Sequence, residues 1–149
     1  MALSVEAIST LVEQIATIHE SSIPTTSVLE RLDSFGYEVS ESDAFAIAFS
    51  VQKVEQSIKN ICNIDDIPDG LMCHAVDMVC GEFLSVKHKT GQLTVGTLNL
   101  DGALSSVTVG DTAVSFNDGT SDDNKFAALI TALANSGRGE LVCYRKIKW

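Results

Sequence analysis

The sequence predicts a mainly α-helical protein: a helical bundle of about four to five helices with a β-hairpin arm and an extended C-terminal tail. Apolar side chains recur at helical spacing through residues 1–86. Residues 92–116 are instead rich in Val, Thr, Leu and Gly, in an alternation typical of strands. The length of 149 residues favours one domain. We divide it into a helical bundle (1–86), a β-hairpin arm (87–118), a C-terminal helix (119–137) and an interaction tail (138–149).

Four helices are predicted in the bundle, over 3–19, 26–35, 41–61 and 68–86. Gly36 ends the second helix, because glycine readily adopts the left-handed conformation found there. Ser40 and Asp43 form a capping pair at the start of the third helix. The buried side of that helix is expected to include an aromatic i,i+4 pair and four aliphatic residues: Phe45, Phe49, Val51, Val54, Ile58 and Ile61.

The arm is predicted as a hairpin of two strands, Ser105–Gly110 and Asp111–Phe116. Glycine in the first position of a two-residue turn fits type II′ geometry, so we place the turn at Gly110-Asp111. A fifth helix follows over 123–135 and ends at Gly137. After it, Leu141–Cys143 is expected to join a sheet.

The chain is acidic, with 10 Lys+Arg against 20 Asp+Glu and a formal charge of −10. Residues 1–84 carry 3 bases and 14 acids (3 − 14 = −11), whereas residues 85–149 carry 7 bases and 6 acids (7 − 6 = +1). Nonspecific binding to nucleic acid or to an anionic membrane needs a cationic surface, so neither is expected. Residues 1–20 lack the cationic start of a signal peptide, and no apolar run in the sequence is long enough to span a bilayer. Together these features predict cytosolic synthesis, no membrane partner and reduced cysteines.

The polar clusters do not predict a catalytic, metal or cofactor site. Cys73 and Cys80 lie two helical turns apart, roughly 10 Å, too far to share a zinc ion. His74 diverges from Cys73 because consecutive helical residues point apart. We therefore expect Cys73 and Cys80 to be buried structural cysteines. Four carboxylates near the hairpin lack calcium-loop spacing and suit turns and helix caps: Asp111, Asp118, Asp122 and Asp123.

The tail is the strongest candidate for an interaction surface. Glu140–Trp149 reads ELVCYRKIKW and would reach roughly 33 Å if fully extended, farther than the radius of such a domain. Arg and Trp are enriched in binding hot spots. A second interpretation is that Leu141, Cys143 and Ile147 form a last strand on the hairpin of the same chain.

Three stretches stand in a characteristic order: CGEFLSVKHKTG at 80–91, GDTAVSF at 110–116 and LVCYRKIKW at 141–149. In this order they resemble the head-to-tail connector (adaptor, head-completion) proteins of tailed bacteriophages. The similarity is firmest over 68–149. The chain is longer than some adaptors, so residues 1–40 or the 92–104 segment are candidates for an elaboration.

The resemblance implies a non-enzymatic structural protein of the virion neck, made in the host bacterial cytoplasm. Such adaptors form a homo-oligomeric ring, usually twelve-fold, under the portal protein. They extend the DNA channel and provide a docking surface for the stopper or tail-completion protein. Genomic DNA passes without sequence-specific binding, and an acidic wall would not retain it.

The resemblance also implies site residues. The C-terminal segment commonly engages the portal in that family, which assigns portal binding to Tyr144, Arg145, Lys146, Ile147, Lys148 and Trp149. The hairpin is our candidate for contact with a neighbouring subunit or the next ring, through Val107, Val109, Gly110, Asp111, Val114 and Phe116.

Three other interpretations stay open. The first is another phage neck or tail ring protein, such as a stopper or tail terminator, which we expect to be mainly β. The second is a small thiol- or metal-dependent helical enzyme that uses Cys73, His74, Cys80 or Cys143. The third is an acidic DNA-mimic or regulatory protein that binds a cationic partner through residues 1–84.

Overall fold

The computed structural model describes residues 5–15, 23–107 and 121–147 of the chain. Its α-helices are α1 (Val5–Ile15), α2 (Thr25–Ser34), α3 (Ala44–Cys62), α4 (Met72–Lys89), α5 (Leu100–Val107), α6 (Asp122–Ala134) and α7 (Arg138–Tyr144). Short 3-10 turns lie at Glu41–Asp43, Asp69–Leu71 and Val95–Thr97. The predicted mainly α fold is therefore confirmed, and the described ranges contain no strand. Within them no helix has the length and hydrophobicity that crossing a membrane requires.

The central helix of the bundle is α4, because α2, α3 and α6 all pack against it. Ala75, Val79, Phe83 and Leu84 supply its fully buried side. Gly81 allows α6 to approach closely, since a Cβ there would lie 2.8 Å from the Leu133 Cβ. All the α-helices contribute to one hydrophobic core.

The local signals around α2 and α3 are confirmed. Gly36 follows α2 in the left-handed conformation, with φ of 85°. Ser40 and Asp43 form the predicted capping box, in which the Ser40 N–H donates to Asp43 Oδ2 at 3.1 Å. These side chains satisfy backbone groups that a helix start leaves without partners.

The predicted β-hairpin arm is not supported. Residues 95–97 form a 3-10 turn, and residues 100–107 form α5 where a strand was expected to begin at Ser105. The reason is tertiary: Leu98, Leu100 and Ala103 are buried, and α5 packs on α6. Asn99 starts the helix, because its N–H donates to Phe35 O at 2.9 Å and its Oδ1 accepts from Gly102 N at 3.2 Å. The rest of the predicted hairpin, 108–116, lies outside the described residues.

The predicted burial of three side chains of α3 is wrong. Phe45 is 67% exposed, Phe49 is 56% exposed and Ile61 is 50% exposed. The buried series is Ile47, Val51, Val54 and Ile58. Phe45 and Phe49 each precede a member of that series by two residues, and two residues correspond to about 200° around a helix. The aromatic pair therefore lies on the opposite, outer face.

A buried polar network surrounds Asp43 at the start of α3. Asp43 is 2% exposed, and its carboxylate accepts from Lys87 Nζ at 2.7 Å and from the Tyr37 hydroxyl at 2.9 Å. Burial alone would raise the pKa of Asp43, but hydrogen bonds from Lys87, Ser40 and Tyr37 outweigh it and lower that pKa. Burial and the neighbouring carboxylate raise the pKa of Tyr37. The network joins α3 to the last turn of α4.

Candidate functional site

The C-terminal segment is folded back on the bundle, which corrects the prediction of an extended tail. Leu141–Cys143 belongs to α7 and does not join a sheet. Gly137 turns the chain between α6 and α7 in the left-handed conformation, with φ of 69° and ψ of 12°. Only residues 145–147 of the described tail lie beyond a helix. The bundle therefore fixes the direction in which the tail leaves it.

His74 of α4 attaches α7 to the bundle. Its Nδ1 lies 2.9 Å from Ser136 Oγ, and its Nε2 lies 3.0 Å from Glu140 Oε2. A carboxylate only accepts, so Nε2 carries the proton in this contact and a neutral ring leaves Nδ1 to accept the Ser136 hydroxyl. The two bonds fix both sides of the turn at Gly137, where a Cβ would overlap the His74 ring.

A second attachment, the tail anchor, consists of Cys62, Asn63 and Lys146. Lys146 N–H donates to Cys62 O at 2.7 Å, and Asn63 Nδ2 donates to Lys146 O at 3.0 Å. Asn63 ends α3 in the left-handed conformation, with φ of 54°, and asparagine tolerates this conformation better than most residues. The buried Leu141 adds an apolar contact, and Cys62 Sγ donates to its carbonyl at 3.4 Å.

The anchored segment leaves an apolar and cationic surface exposed, which we call the tail face: Val142, Arg145, Lys146 and Ile147. Val142 is 70% exposed and Ile147 is 76% exposed. Tyr144 is instead turned toward the bundle, with its hydroxyl against Gly70. Arg145, Lys146 and Ile147 of the predicted portal-binding residues are exposed, whereas Lys148 and Trp149 lie outside the described residues.

The predicted subunit-contact residues are barely covered by the structure. Val107 is the last residue of α5, so its expected place in a strand is wrong. The remaining candidates lie outside the described residues: Val109, Gly110, Asp111, Val114 and Phe116.

The residues weighed for metal or thiol chemistry make separate contacts. His74 contacts Ser136 and Glu140, and the neighbouring carboxylate of Asp77 pairs with Arg31 at 2.8 Å. Cys80 is buried as predicted, and burial raises the pKa of its thiol. Cys73 is exposed in a groove of 490 Å³ between α2 and α4, so its predicted burial is wrong. No group of three or more potential ligands gathers among the described residues.

Sequence reasoning missed Asn63 and Val142. Asn63 had a usable signal, because an asparagine directly after a helix often adopts the left-handed conformation. Val142 had none, since its exposure depends on Leu141 facing the bundle.

No protein-family model, curated protein or solved structure matched this chain.

Replacing Gly137 with alanine is expected to loosen α7. The new Cβ would displace the His74 ring, and the left-handed backbone would add strain, together about 1–3 kcal/mol. Hydrogen exchange of the α7 amides should become faster. Gly139→Ala is the matched control, because a Cβ there has open space and alanine favours helix by about 0.5–1 kcal/mol. Equal exchange in the two variants would contradict the role given to Gly137.

Proposed function

We propose that the chain is a ring-forming structural protein of a phage neck, whose tail face binds the portal protein. Under this proposal the opposite part of the ring offers a docking surface to a stopper or tail-completion protein, and DNA passes through the centre. The family resemblance of the three stretches supports the role. The observation that carries it is the tail face, an exposed apolar and cationic surface on an anchored segment.

The anchoring supports binding on energetic grounds. A free tail would lose conformational entropy when a partner ordered it, at about 0.5–1.5 kcal/mol for each immobilised flexible side chain. The tail anchor and Leu141 already order the main chain of this segment, so less is lost on binding. In a ring, each copy needs only modest affinity, because linked contacts raise the effective concentration.

The surface charge supports passage of DNA. Exposed carboxylates occur on α2 and on the loops at both ends of α3, at Glu30, Asp33, Glu38, Asp65 and Asp66. A channel wall that carried them would repel phosphates, whereas each cationic contact would slow the passing DNA. The exposed cations of the tail face would then contact a protein partner at the rim of the ring and not the passing DNA.

Reversing the charge of the tail face is expected to weaken portal binding at least about 10-fold, a loss of 1.4 kcal/mol or more. The variant is Arg145→Glu with Lys146→Glu, and the partner is the portal ring of the same genome. Binding is measured by co-purification and by interferometry with the adaptor in solution, so that single-copy affinity is read. Both side chains are exposed, so the fold should be unaffected.

The matched control is Lys89→Glu with Arg138→Glu, which makes the same change in net charge at two other exposed cations. We expect it to bind the portal as the wild type does. Equal binding by the tail-face variant and this control would remove the tail face from the interface. Absence of any portal binding by the wild type would overturn the neck role itself.

A further inference from the structure

In the part of the chain that the structure describes, no element covers the aromatic pair on the outer face of α3. Phe45 and Phe49 stand one turn apart, with ring centroids 6.5 Å apart and ring planes inclined by 22°. Both are more than half exposed, although the chain has few aromatic residues. Two neighbouring large apolar side chains on one helix face are a more specific observation than scattered exposed residues.

The aromatic pair belongs to a longer series with the spacing of a helix–helix contact. The series Phe45, Phe49, Gln52 and Gln56 has the same 4-3-4 spacing as the buried series on the opposite side of α3. Asn60 continues it one turn later and accepts from Gln56 Nε2 at 2.9 Å. Spacing of 4 and 3 keeps side chains on the stripe that a second helix covers. We call these five residues the α3 seam.

The seam contains no carboxylate, although the chain carries a formal charge of −10. The one carboxylate of α3, Glu55, is buried at the flank of the seam, in a groove that it lines together with Phe49, Gln52 and Gln56, and it pairs with Lys59 at 3.0 Å. Two acidic copies repel each other, so they approach most easily through faces that lack acids. The amide side chains of the seam can exchange hydrogen bonds with the same groups in a second copy.

We propose that the α3 seam is a self-association surface, on which a second copy of the chain lays its own α3 in antiparallel orientation. A two-fold contact uses the same patch on both copies. Antiparallel pairing lets Phe45 face Gln56 of the second copy, and Phe49 face its Gln52. The exposed Glu41, one turn before Phe45, then lies near Lys59 of the second copy. That ammonium also pairs with Glu55 of its own chain, so one cation stands between two carboxylates at each end of the contact.

The size of the seam sets the strength of the contact. From Phe45 to Asn60 the helix rises roughly 22 Å, and a stripe about 10 Å wide offers on the order of 200–300 Å² per copy. The area that both copies together would bury falls below the roughly 1,000 Å² expected of a stable interface. The association is therefore weak, with a Kd on the order of 0.1–1 mM. A two-fold contact closes on itself. It therefore produces dimers of the free protein and does not extend into larger assemblies.

The test is sedimentation equilibrium of the full chain from about 0.02 to 1 mM, a range that spans the expected Kd. The wild type should pass from monomer toward dimer. Phe45→Glu with Phe49→Glu places four carboxylates in the contact and should weaken the association at least about 10-fold. Phe45→Ser with Phe49→Ser should weaken it less, and helical circular dichroism checks that both variants fold.

The matched control, Val86→Glu with Ala127→Glu, adds the same charge at two exposed apolar residues outside the seam and the tail face, and it should dimerise as the wild type does. A wild type that stays monomeric at the highest concentration would overturn the inference. So would a seam variant that associates as strongly as the wild type. The inference rests on α3 alone, so its failure leaves portal binding through the tail face unaffected.

Discussion

Replacing Asp43 with alanine is expected to lower the free energy of unfolding by about 3–5 kcal/mol. The substitution leaves the Lys87 ammonium, only 12% exposed, without its carboxylate. It also removes the acceptor of the Tyr37 hydroxyl and the side chain that caps the 3-10 turn leading into α3. The change is measured by urea unfolding at neutral pH. The control is Glu41→Ala, an exposed carboxylate in the same turn, which should change stability by no more than about 0.5 kcal/mol.

The same network predicts how stability depends on pH. The pKa of Asp43 is lowered on folding, so its stabilisation is present above the unfolded value of about 3.9 and is lost as pH falls through the lower folded value. Asp43→Asn resembles the protonated carboxyl. The stability difference between wild type and Asp43→Asn should therefore be largest near neutral pH and should shrink below about pH 4. A difference that stays constant with pH would contradict an ionised, paired Asp43.

Replacing Phe83 with alanine is also expected to cost about 3–5 kcal/mol, because it opens a cavity in the middle of the core. Phe83 is fully buried and meets the Tyr37 ring edge-on, with centroids 5.3 Å apart and planes at 84°. Chemical denaturation measures the loss. Tyr37 contacts both Phe83 and Asp43, so the two substitutions should be coupled. The loss of unfolding free energy in Asp43→Ala with Phe83→Ala should therefore differ from the sum of the two single losses.

The matched control is Phe45→Ala, the same substitution at the outer face of α3. It should change the stability of the monomer by no more than about 0.5 kcal/mol, since this ring makes little contact with the core. Similar losses at Phe45 and Phe83 would mean that Phe45 is covered in the monomer. That result would count against both the exposed seam and the placement of α3.

Helix starts and ends were predicted correctly where the sequence carries a local capping signal. Gly36 and the capping box of Ser40 and Asp43 are short-range devices, so their structures follow from neighbouring residues alone. The end of α6 near Gly137 was predicted for the same reason. In each case the deciding interactions are made within four residues.

The errors in α5 and in the tail occurred where distant contacts decide, whereas the error at Phe45 had a local cause. Residues 100–107 have a strand-like composition but form a helix because the core covers Leu100 and Ala103. Hydrophobicity alone assigned Phe45 to the core, although its angular position on α3 already separated it from Ile47 and Val51. The position of the tail depends on Cys62, whose carbonyl accepts the N–H of Lys146 although it lies 84 residues earlier in the sequence.

The tail anchor also determines how the molecule would respond to a pulling force. A partner that gripped the chain end would load the two hydrogen bonds of Lys146 first, then Leu141, and then the His74 contacts of α7. These attachments would break one after another, so little force is needed at any moment. The closely packed α4 and α6, joined at Gly81, would carry load only afterwards. Under such a force the C-terminal segment would thus detach from the bundle before the bundle itself unfolds.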